Sequence, residues 1–367
     1  MSLEVELKKY RRRIATDAYP MSIGELSNLY RDGELDIHPE FQRIFRWTSE
    51  QKTRLIESIL LGIPLPSIFV AQNTSGIWDV VDGVQRMSTI FQFMNILKGE
   101  DGEPIDPFIC KAAPFLKSIE GMSFEAADAA TASFSPAQRL DFKRARIDVK
   151  IIKRESDKRA KYDLFQRLNS YGSLATEQEL RNCLLVSMSK KHFEWLEKIA
   201  EDESFKEVLD LPHRLLEERY HMELALRFVV FRKIDESQLK RIGNIGEYLT
   251  SALVDFTEYS DGQLAHEAAV LHDTFTLLND AGGSAMLRRW DAQTGRTAGS
   301  FALTAFEIIA MGIGYYDSPD RIDVDDLKTR RAELWQKDEF KSRFSFGLSA
   351  DQRMRKTIPA GRVLFAS

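Results

Sequence analysis

The chain is poor in cysteine: among its 367 residues only Cys110 and Cys183 occur. Two cysteines cannot supply the several disulfide bonds of a small secreted domain, so we expect a reducing, cytoplasmic environment. No apolar run approaches the ~20 residues that a membrane-spanning helix needs, and the charged residues after Met1 do not resemble a secretory signal peptide. The sequence therefore predicts a cytoplasmic protein with no membrane partner.

Several familiar catalytic motifs are also missing. The pattern G-x-x-x-x-G-K-[ST] does not occur, so any nucleotide hydrolysis is not of the P-loop kind. His266 and His272 are six residues apart, a spacing that points two zinc ligands to different sides of a helix. Asp148 and Lys150 match half of a D/E-x-K nuclease signature but lack an upstream acid in a Pro-Asp context, so strand alternation explains them better.

Neither sign of charge dominates the sequence. The net charge of −5 argues against a non-specific DNA-binding surface over the whole molecule. Hydrophobic residues make up 43% and charged residues 29%, which is typical of a globular protein. A length of 367 residues allows one large domain or two ordinary ones.

The most informative segment is a short apolar strand that breaks at Asp82-Gly83 and continues as a helix behind Gln85-Arg86. A helix start attracts anions because its first amides lack partners and its dipole is positive there. Glycine permits the tight turn, and Gln85 and Arg86 add donors for phosphate oxygens. The alternative is an ordinary strand–turn–helix in which Asp82 caps the helix.

A second segment, residues 37–47, is rich in arginine and aromatic side chains. Gln42, Arg43 and Trp47 suit a nucleotide pocket through charge pairing and stacking; in the alternative, Trp47 and Phe41 anchor the core beside solvated arginines. Downstream, we expect a helix over residues 50–61, capped by Thr48 or Ser49, and paired strands over residues 67–71 and 78–81.

A third block, residues 165–181, predicts two helices joined by a loop. Asn169 and its neighbours end the first helix, and Thr176 caps the second. This backbone reading is complete without any function, yet Arg167, Asn169 and Arg181 place polar groups on elements that otherwise pack.

In order along the chain, these three blocks resemble the N-terminal domain of GmrSD-type restriction proteins, a ParB/sulfiredoxin-like domain with a DGQQR motif. Val84 stands where the family turn has its first glutamine. The matching stretches are residues 41–43 with Trp47, residues 55–66, residues 82–86 with Thr89 and Ile90, and residues 165–169 with Gly172, Leu174, Thr176 and residues 179–181.

The resemblance implies a nucleotide site. Asp82, Gln85 and Arg86 are expected to be catalytic, with Asp82 also holding Mg²⁺ that enters with the nucleoside triphosphate. The residues expected to bind the nucleotide are Gln42, Arg43, Trp47, Gly83, Thr89, Arg167, Asn169 and Arg181.

The resemblance and the helical periods of the chain together predict the fold. We expect an α+β architecture, with a small mixed sheet and helices in a ParB-like domain (residues 1–155) and a mainly helical domain (residues 156–367). A strand over residues 147–153 is expected to close the sheet, and periodic helices follow over residues 215–232, 264–278, 301–314 and 324–340.

The function so implied is a nucleotide-binding or nucleotide-hydrolysing regulator in bacterial defence against modified or foreign DNA. An HNH-type nuclease is expected as a separate partner, since no histidine follows His272. Self-association into a homo-oligomer is left open. The alternatives are a non-catalytic DNA- or protein-binding module with a ParB-like fold, and a metal-dependent DNA nuclease in its own right.

A basic cluster spans residues 139–161. Within it, Lys143, Arg144, Arg146 and Lys150 are candidates for nucleic-acid contact. The interleaved acids favour a solvated face held by salt bridges as the alternative, because they dilute the positive potential.

Overall fold

The computed structural model describes residues 4, 16–37, 47–73, 75–99, 102–126, 132–153, 177–291, 294–318, 321–341 and 348–366. The chain divides into two compact units, Met1–Met188 and Ser189–Ser367. The predicted domain boundary at residues 155 and 156 lies outside the described residues. The predicted fold class is confirmed, since a mixed sheet with helices is followed by a mainly helical region.

The first unit contains a five-stranded sheet in the order β1-β5-β3-β4-β2. The β1/β5 and β3/β4 pairs are antiparallel, and the β5/β3 and β4/β2 pairs are parallel. The strands are β1 (Thr16–Ser22), β2 (Leu35–Asp36), β3 (Ile68–Gln72), β4 (Trp78–Asp82) and β5 (Arg146–Ile152).

The predicted β3/β4 pair and the β5 strand are confirmed, but the place of β5 in the sheet differs from the prediction. β5 does not close the sheet: it lies between β3 and β1, and β1 was not predicted. Its alternation of exposed and buried side chains fits a strand with one face on the core. The position of a strand in a sheet depends on distant partners, and the local pattern carries no information about them.

One helix in this unit begins at its predicted cap, Thr48, and a second begins in the same way at Ser135. Thr48 and Ser135 each accept a hydrogen bond from the amide three residues on, and Gln51 and Gln138 complete the two capping boxes. The helices are α1 (Ile23–Arg31), α2 (Ser49–Leu60), α3 (Val84–Phe93), α4 (Pro136–Arg144) and α5 (Glu177–Met188).

The core of the first unit joins the sheet to α3. Met87, Ile90 and Phe91 of α3 are fully buried. Phe93, at the end of the helix, is surrounded by four further phenylalanine rings at centroid distances of 5.2–5.7 Å. Burial of several aromatic rings of this size contributes strongly to stability. The start of α3 is therefore held by a firmly packed body.

The second unit is helical apart from one small antiparallel hairpin, β6 (Arg289–Asp291) with β7 (Arg296–Ala298). The predicted helix over residues 215–232 is interrupted, because Arg219 adopts a left-handed conformation with φ of 56°. The helices are α6 (Lys190–Ala200), α7 (Glu203–Leu209), α8 (His213–Glu217), α9 (Tyr220–Phe231), α10 (Glu236–Leu239), α11 (Ile245–Phe256), α12 (Asp261–Gly282), α13 (Leu303–Ala305), α14 (Met311–Gly314), α15 (Val324–Gln336), α16 (Asp338–Lys341) and α17 (Ala350–Leu364), with a π-helical turn Phe306–Ala310 between α13 and α14.

No helix in the described parts of the chain combines the length and the apolar character needed to cross a membrane.

Candidate phosphate-binding site at the start of α3

The turn between β4 and α3 is built around Gly83. Its φ of 95° lies in the left-handed region, and it occupies the N-cap position of α3. A Cβ atom added there would lie 2.6 Å from Cγ2 of Ile68 and 3.2 Å from Nη2 of Arg86. Glycine is therefore required for both the backbone conformation and the close approach to β3.

Among the described residues, no side chain caps α3. The alternative in which Asp82 serves as the cap is wrong, because the Asp82 carboxylate instead accepts a hydrogen bond from Nη2 of Arg86 at 3.1 Å. The first amides of a helix have no intrahelical partners, so this uncapped start keeps donors available for an acceptor from outside.

Arg86 ties the turn to the loop that precedes β3. Besides Asp82, its guanidinium donates to the carbonyl oxygens of Pro66 and of Ser67, the latter at 3.2 Å. Burial lowers the pKa of Arg86, and the charge and hydrogen bond of Asp82 act in the opposite direction. The exposed fraction of the side chain is 13% for Arg86 and 39% for Asp82. The Arg86 guanidinium is thus occupied by hydrogen bonds within the fold, while the Asp82 carboxylate remains accessible to solvent.

Three polar groups on the first turns of α3 are buried without a hydrogen-bond partner in the described structure. They are Nε2 of Gln85 and the hydroxyl oxygens of Ser88 and Thr89. The exposed fraction is 9% for Ser88 and 1% for Thr89. Buried polar groups are nearly always paired, so three unpaired groups along one helix indicate a place where a ligand supplies the partners.

A second helix start lies beside the first. Oε1 of Gln85 accepts a hydrogen bond from the backbone N–H of Trp47 at 3.3 Å, and Trp47 directly precedes the Thr48 cap of α2. Two helix N-termini near one amide side chain add their positive dipole ends in the same region. The arrangement favours an anion.

Lys150 stands on the same sheet face as Asp82. Phe69 of β3 is paired with Asp82 of β4 on one side and with Lys150 of β5 on the other. The Lys150 ammonium lies over the Phe69 ring, 5.1 Å from its centroid. Backbones two strands apart are separated by about 9–10 Å, so Lys150 and Asp82 flank Phe69 on this face of the sheet. Sequence reasoning missed Phe69 and this link, because the parallel β3/β5 pairing has no local signal.

The other candidates for nucleic-acid contact lie at the end of α4 and the start of β5. Arg144 and Arg146 are exposed. Lys143 is partly buried, with its ammonium 5.8 Å from the centroid of the Phe124 ring. Arg146 and Lys150 lie on the exposed face of β5, and Lys143 and Arg144 lie at the end of α4. These contacts do not identify a nucleic acid.

The remaining predicted nucleotide ligands are only partly described. Trp47 is described and partly exposed, whereas Gln42, Arg43, Arg167 and Asn169 lie outside the described residues.

Arg181 lies on α5 with only 1% of its surface exposed. Its Nε atom donates to Oε1 of Gln178 at 2.9 Å, and Nη1 lies 3.4 Å from Oε2 of Glu177. These contacts run along the helix itself, so a role for Arg181 in nucleotide binding stays a prediction.

The small number of carboxylates at the start of α3 limits the kind of metal ion that could bind there. Within the described residues no group of three or more His, Cys, Asp or Glu side chains is placed to hold a metal ion. Asp82 offers one accessible carboxylate, already shared with Arg86. Mg²⁺ is commonly held by one or two carboxylates together with substrate phosphates, so the site fits an ion that enters with a phosphorylated ligand.

Comparison with known proteins found a family match within the first unit. Residues 23–186 match the family model described as "GmrSD restriction endonuclease, N-terminal domain". A search of curated proteins and a search of solved structures each returned no match. The match covers β2 to β5, α1 to α4 and most of α5, and β1 lies outside it. Residues 23–186, less than half of the chain, are therefore similar to the N-terminal domain of GmrSD-type restriction endonucleases.

Proposed function

We propose that this protein is a nucleotide-binding and nucleotide-hydrolysing regulatory subunit of a bacterial restriction system directed against modified or foreign DNA. The family match supports a role in restriction and defence. One observation carries the finer proposal: an uncapped helix start with three buried, unpartnered polar groups beside an accessible carboxylate.

In this proposal the phosphates of a nucleoside triphosphate lie at the start of α3. The free amides of the first turn and the Nε2 donor of Gln85 bind phosphate oxygens, and the Thr89 hydroxyl donates to the same group. Lys150 adds a positive charge from the neighbouring strands. Arg86 holds the turn in shape through Pro66 and Ser67.

Asp82 is the group that acts on water. Its carboxylate is accessible and is oriented by Nη2 of Arg86, so it is able to accept a hydrogen bond from a water molecule at the terminal phosphate. When bound with the nucleotide, Mg²⁺ would share the Asp82 carboxylate and neutralise phosphate charge. Gln85 would position the same water or a phosphate oxygen.

The partners follow from the family and remain part of the proposal. The subunit would respond to DNA and would act with a separate HNH-type nuclease that performs the cleavage.

The test compares nucleotide binding and phosphate release in the wild type and in Asp82→Asn and Thr89→Val. We expect Asp82→Asn to abolish phosphate release while retaining binding, and Thr89→Val to weaken binding without loss of stability, since its hydroxyl has no partner in the fold. Thr53→Val is the matched control. The Thr53 hydroxyl donates to the carbonyl oxygen of Ser49 at 2.7 Å and accepts from the amide of Lys111 at 2.9 Å.

Loss of the Thr53 hydroxyl should lower stability and leave nucleotide binding unchanged. Equal binding and phosphate release in all four proteins would remove the α3 start from consideration. A wild type that neither binds nor hydrolyses any common nucleoside triphosphate would have the same consequence.

One observation favours direct DNA contact as a second candidate function. Arg146 and Lys150 lie on the exposed face of β5, and Arg144, at the end of α4, is exposed as well. Phosphate contacts of this kind make binding strongly dependent on salt. A salt-sensitive gel shift that is unaffected by nucleotide and is lost on replacing these residues would favour a DNA-binding module.

A further inference from the structure

The second unit contains a buried arginine that has no counter-ion among the described residues. Arg331 lies on the inner face of α15, which packs against α12 and β6, and only 7% of its surface is exposed. Its guanidinium carbon lies 4.9 Å from the centroid of the Trp290 ring. Within the described residues no hydrogen bond satisfies its Nε or Nη2 atoms.

The two unsatisfied nitrogens form one edge of the guanidinium. Nε–H and Nη2–H point in the same direction and make the fork that grips two oxygens of one carboxylate or phosphate. The contact with the Trp290 ring supplies a cation–π attraction, and within the described residues these two donors have no acceptor. A third donor lies one helical turn away: Nε1 of Trp335, also 7% exposed, is buried without a partner.

Two other arginines of the same unit, buried Arg232 and partly buried Arg353, show how this edge is normally used. Nε and Nη2 of Arg353 both donate to the Glu307 carboxylate, at 3.0 and 2.8 Å. Nε and Nη2 of Arg232 donate in the same way to Glu267, at 2.8 and 2.6 Å. Arg331 is more buried than Arg353, and within the described residues it has no such carboxylate.

A cation buried without a partner lowers stability, so a fold that contains one is more stable when an anion binds there. In accord with this, burial alone lowers the pKa of Arg331 to about 10. A phosphate offers each of the three unpaired donors an oxygen of its own, whereas a carboxylate would have to accept twice at one of its two oxygens. The depth of Arg331 suits a terminal phosphate better than the diester backbone of a nucleic acid.

We propose that Arg331 and Trp335, with Trp290 supporting the guanidinium, bind the terminal phosphate of a small molecule in the second unit. The fork of Arg331 takes two phosphate oxygens and the Trp335 indole N–H takes a third. This site is independent of the function proposed for the first unit, because none of its residues belongs to that unit.

The experiment titrates inorganic phosphate into the full chain by calorimetry and follows the melting temperature. We expect Arg331→Met and Arg331→Lys to weaken phosphate binding at least tenfold, the second because it keeps the charge and loses the fork. Trp335→Phe removes the N–H donor together with part of the ring and should weaken binding several-fold. Arg330→Gln is the control on the same helix, since Arg330 is paired with Asp326 and should not affect binding.

The melting temperature without phosphate gives a second, independent readout. Arg331→Met should melt at the wild-type temperature or above it, because no partner is lost, whereas Arg353→Met should melt well below it. A fall for Arg331→Met as large as that for Arg353→Met, or failure of Arg331→Met to fold, would overturn the proposal. Equal responses of wild type and Arg331→Met to phosphate would do so too.

Acetate and a short single-stranded oligonucleotide are the remaining arms. Tighter binding of acetate than of phosphate would reject the phosphate assignment in favour of a carboxylate. Oligonucleotide binding that depends on Arg331 while inorganic phosphate does not bind would reject it in favour of a nucleic acid.

Discussion

Replacing Gly83 by alanine tests how the start of α3 is built. The substitution places a methyl group 2.6 Å from Cγ2 of Ile68 in a residue whose φ is 95°. Gly76, in the turn between β3 and β4, is a matched control because its φ is 90° and a Cβ atom added there meets nothing within 4 Å. The two variants therefore share the backbone strain and differ in the steric contact.

The expected magnitudes follow from that difference. A left-handed conformation at a non-glycine residue costs about 1–2 kcal/mol, which is the whole effect expected for Gly76→Ala. Overpacking against Ile68 adds about 1–3 kcal/mol, so Gly83→Ala should destabilise the turn by about 2–5 kcal/mol. An excess of about 2 kcal/mol over the control corresponds to a roughly 30-fold larger equilibrium constant for opening of the turn.

Hydrogen exchange followed by mass spectrometry measures this locally, on peptides that cover β4 and α3. The exchange of α3 amides in Gly83→Ala should exceed that in Gly76→Ala by the factor given above. If the two variants exchanged alike, the contact between Gly83 and Ile68 would not contribute to the stability of the site, and the geometry described for the turn would be wrong.

Three further predictions concern buried groups. Burial raises the pKa of the Cys110 thiol to about 12, so alkylation of Cys110 at pH 8 should be slow in the native protein and fast in urea, as read by peptide mass spectrometry. Glu307→Leu leaves Arg353 unpaired and should destabilise the protein by about 3–5 kcal/mol in urea titrations, against less than about 0.5 kcal/mol for exposed Glu333→Gln. Burial lowers the pKa of His221, so its contribution to stability is complete above about pH 6.5 and is lost as the pH falls through the folded pKa. Urea midpoints at pH 7.5 and 5.5 should therefore differ less in His221→Gln than in wild type; an equal difference would contradict the assignment.

Local sequence signals were sufficient for part of the fold. Thr48 and Ser135 are the N-cap residues of two capping boxes, and α2 and α4 begin directly after them. The Asp82-Gly83 break was equally legible, because a strand that meets glycine before a new helical period has few other conformations. The order of the blocks was enough to indicate the family that the comparison supports.

The features that needed the structure are non-local. β1 and the central position of β5 depend on pairing between segments more than 100 residues apart. The row that joins Asp82, Phe69 and Lys150 depends on the β3/β5 pairing together with the β3/β4 pairing. The role of Arg86 was also hidden, since the carbonyl oxygens that it binds lie in the loop before β3. Within the described residues, the donors of Thr89 and Arg331 have no hydrogen-bond partners. The sequence could not show this, because it depends on which residues lie nearby in the fold.

Hydrogen exchange of the wild-type protein with and without a nucleoside triphosphate and Mg²⁺ tests the central claim most directly. If phosphates bind at the start of α3, exchange of the amides in the first turn after Gly83 should slow on addition of nucleotide, and Thr89→Val should need more nucleotide for the same protection. Unchanged exchange in this turn at nucleotide concentrations that saturate the protein would show that the ligand binds elsewhere and would contradict the account.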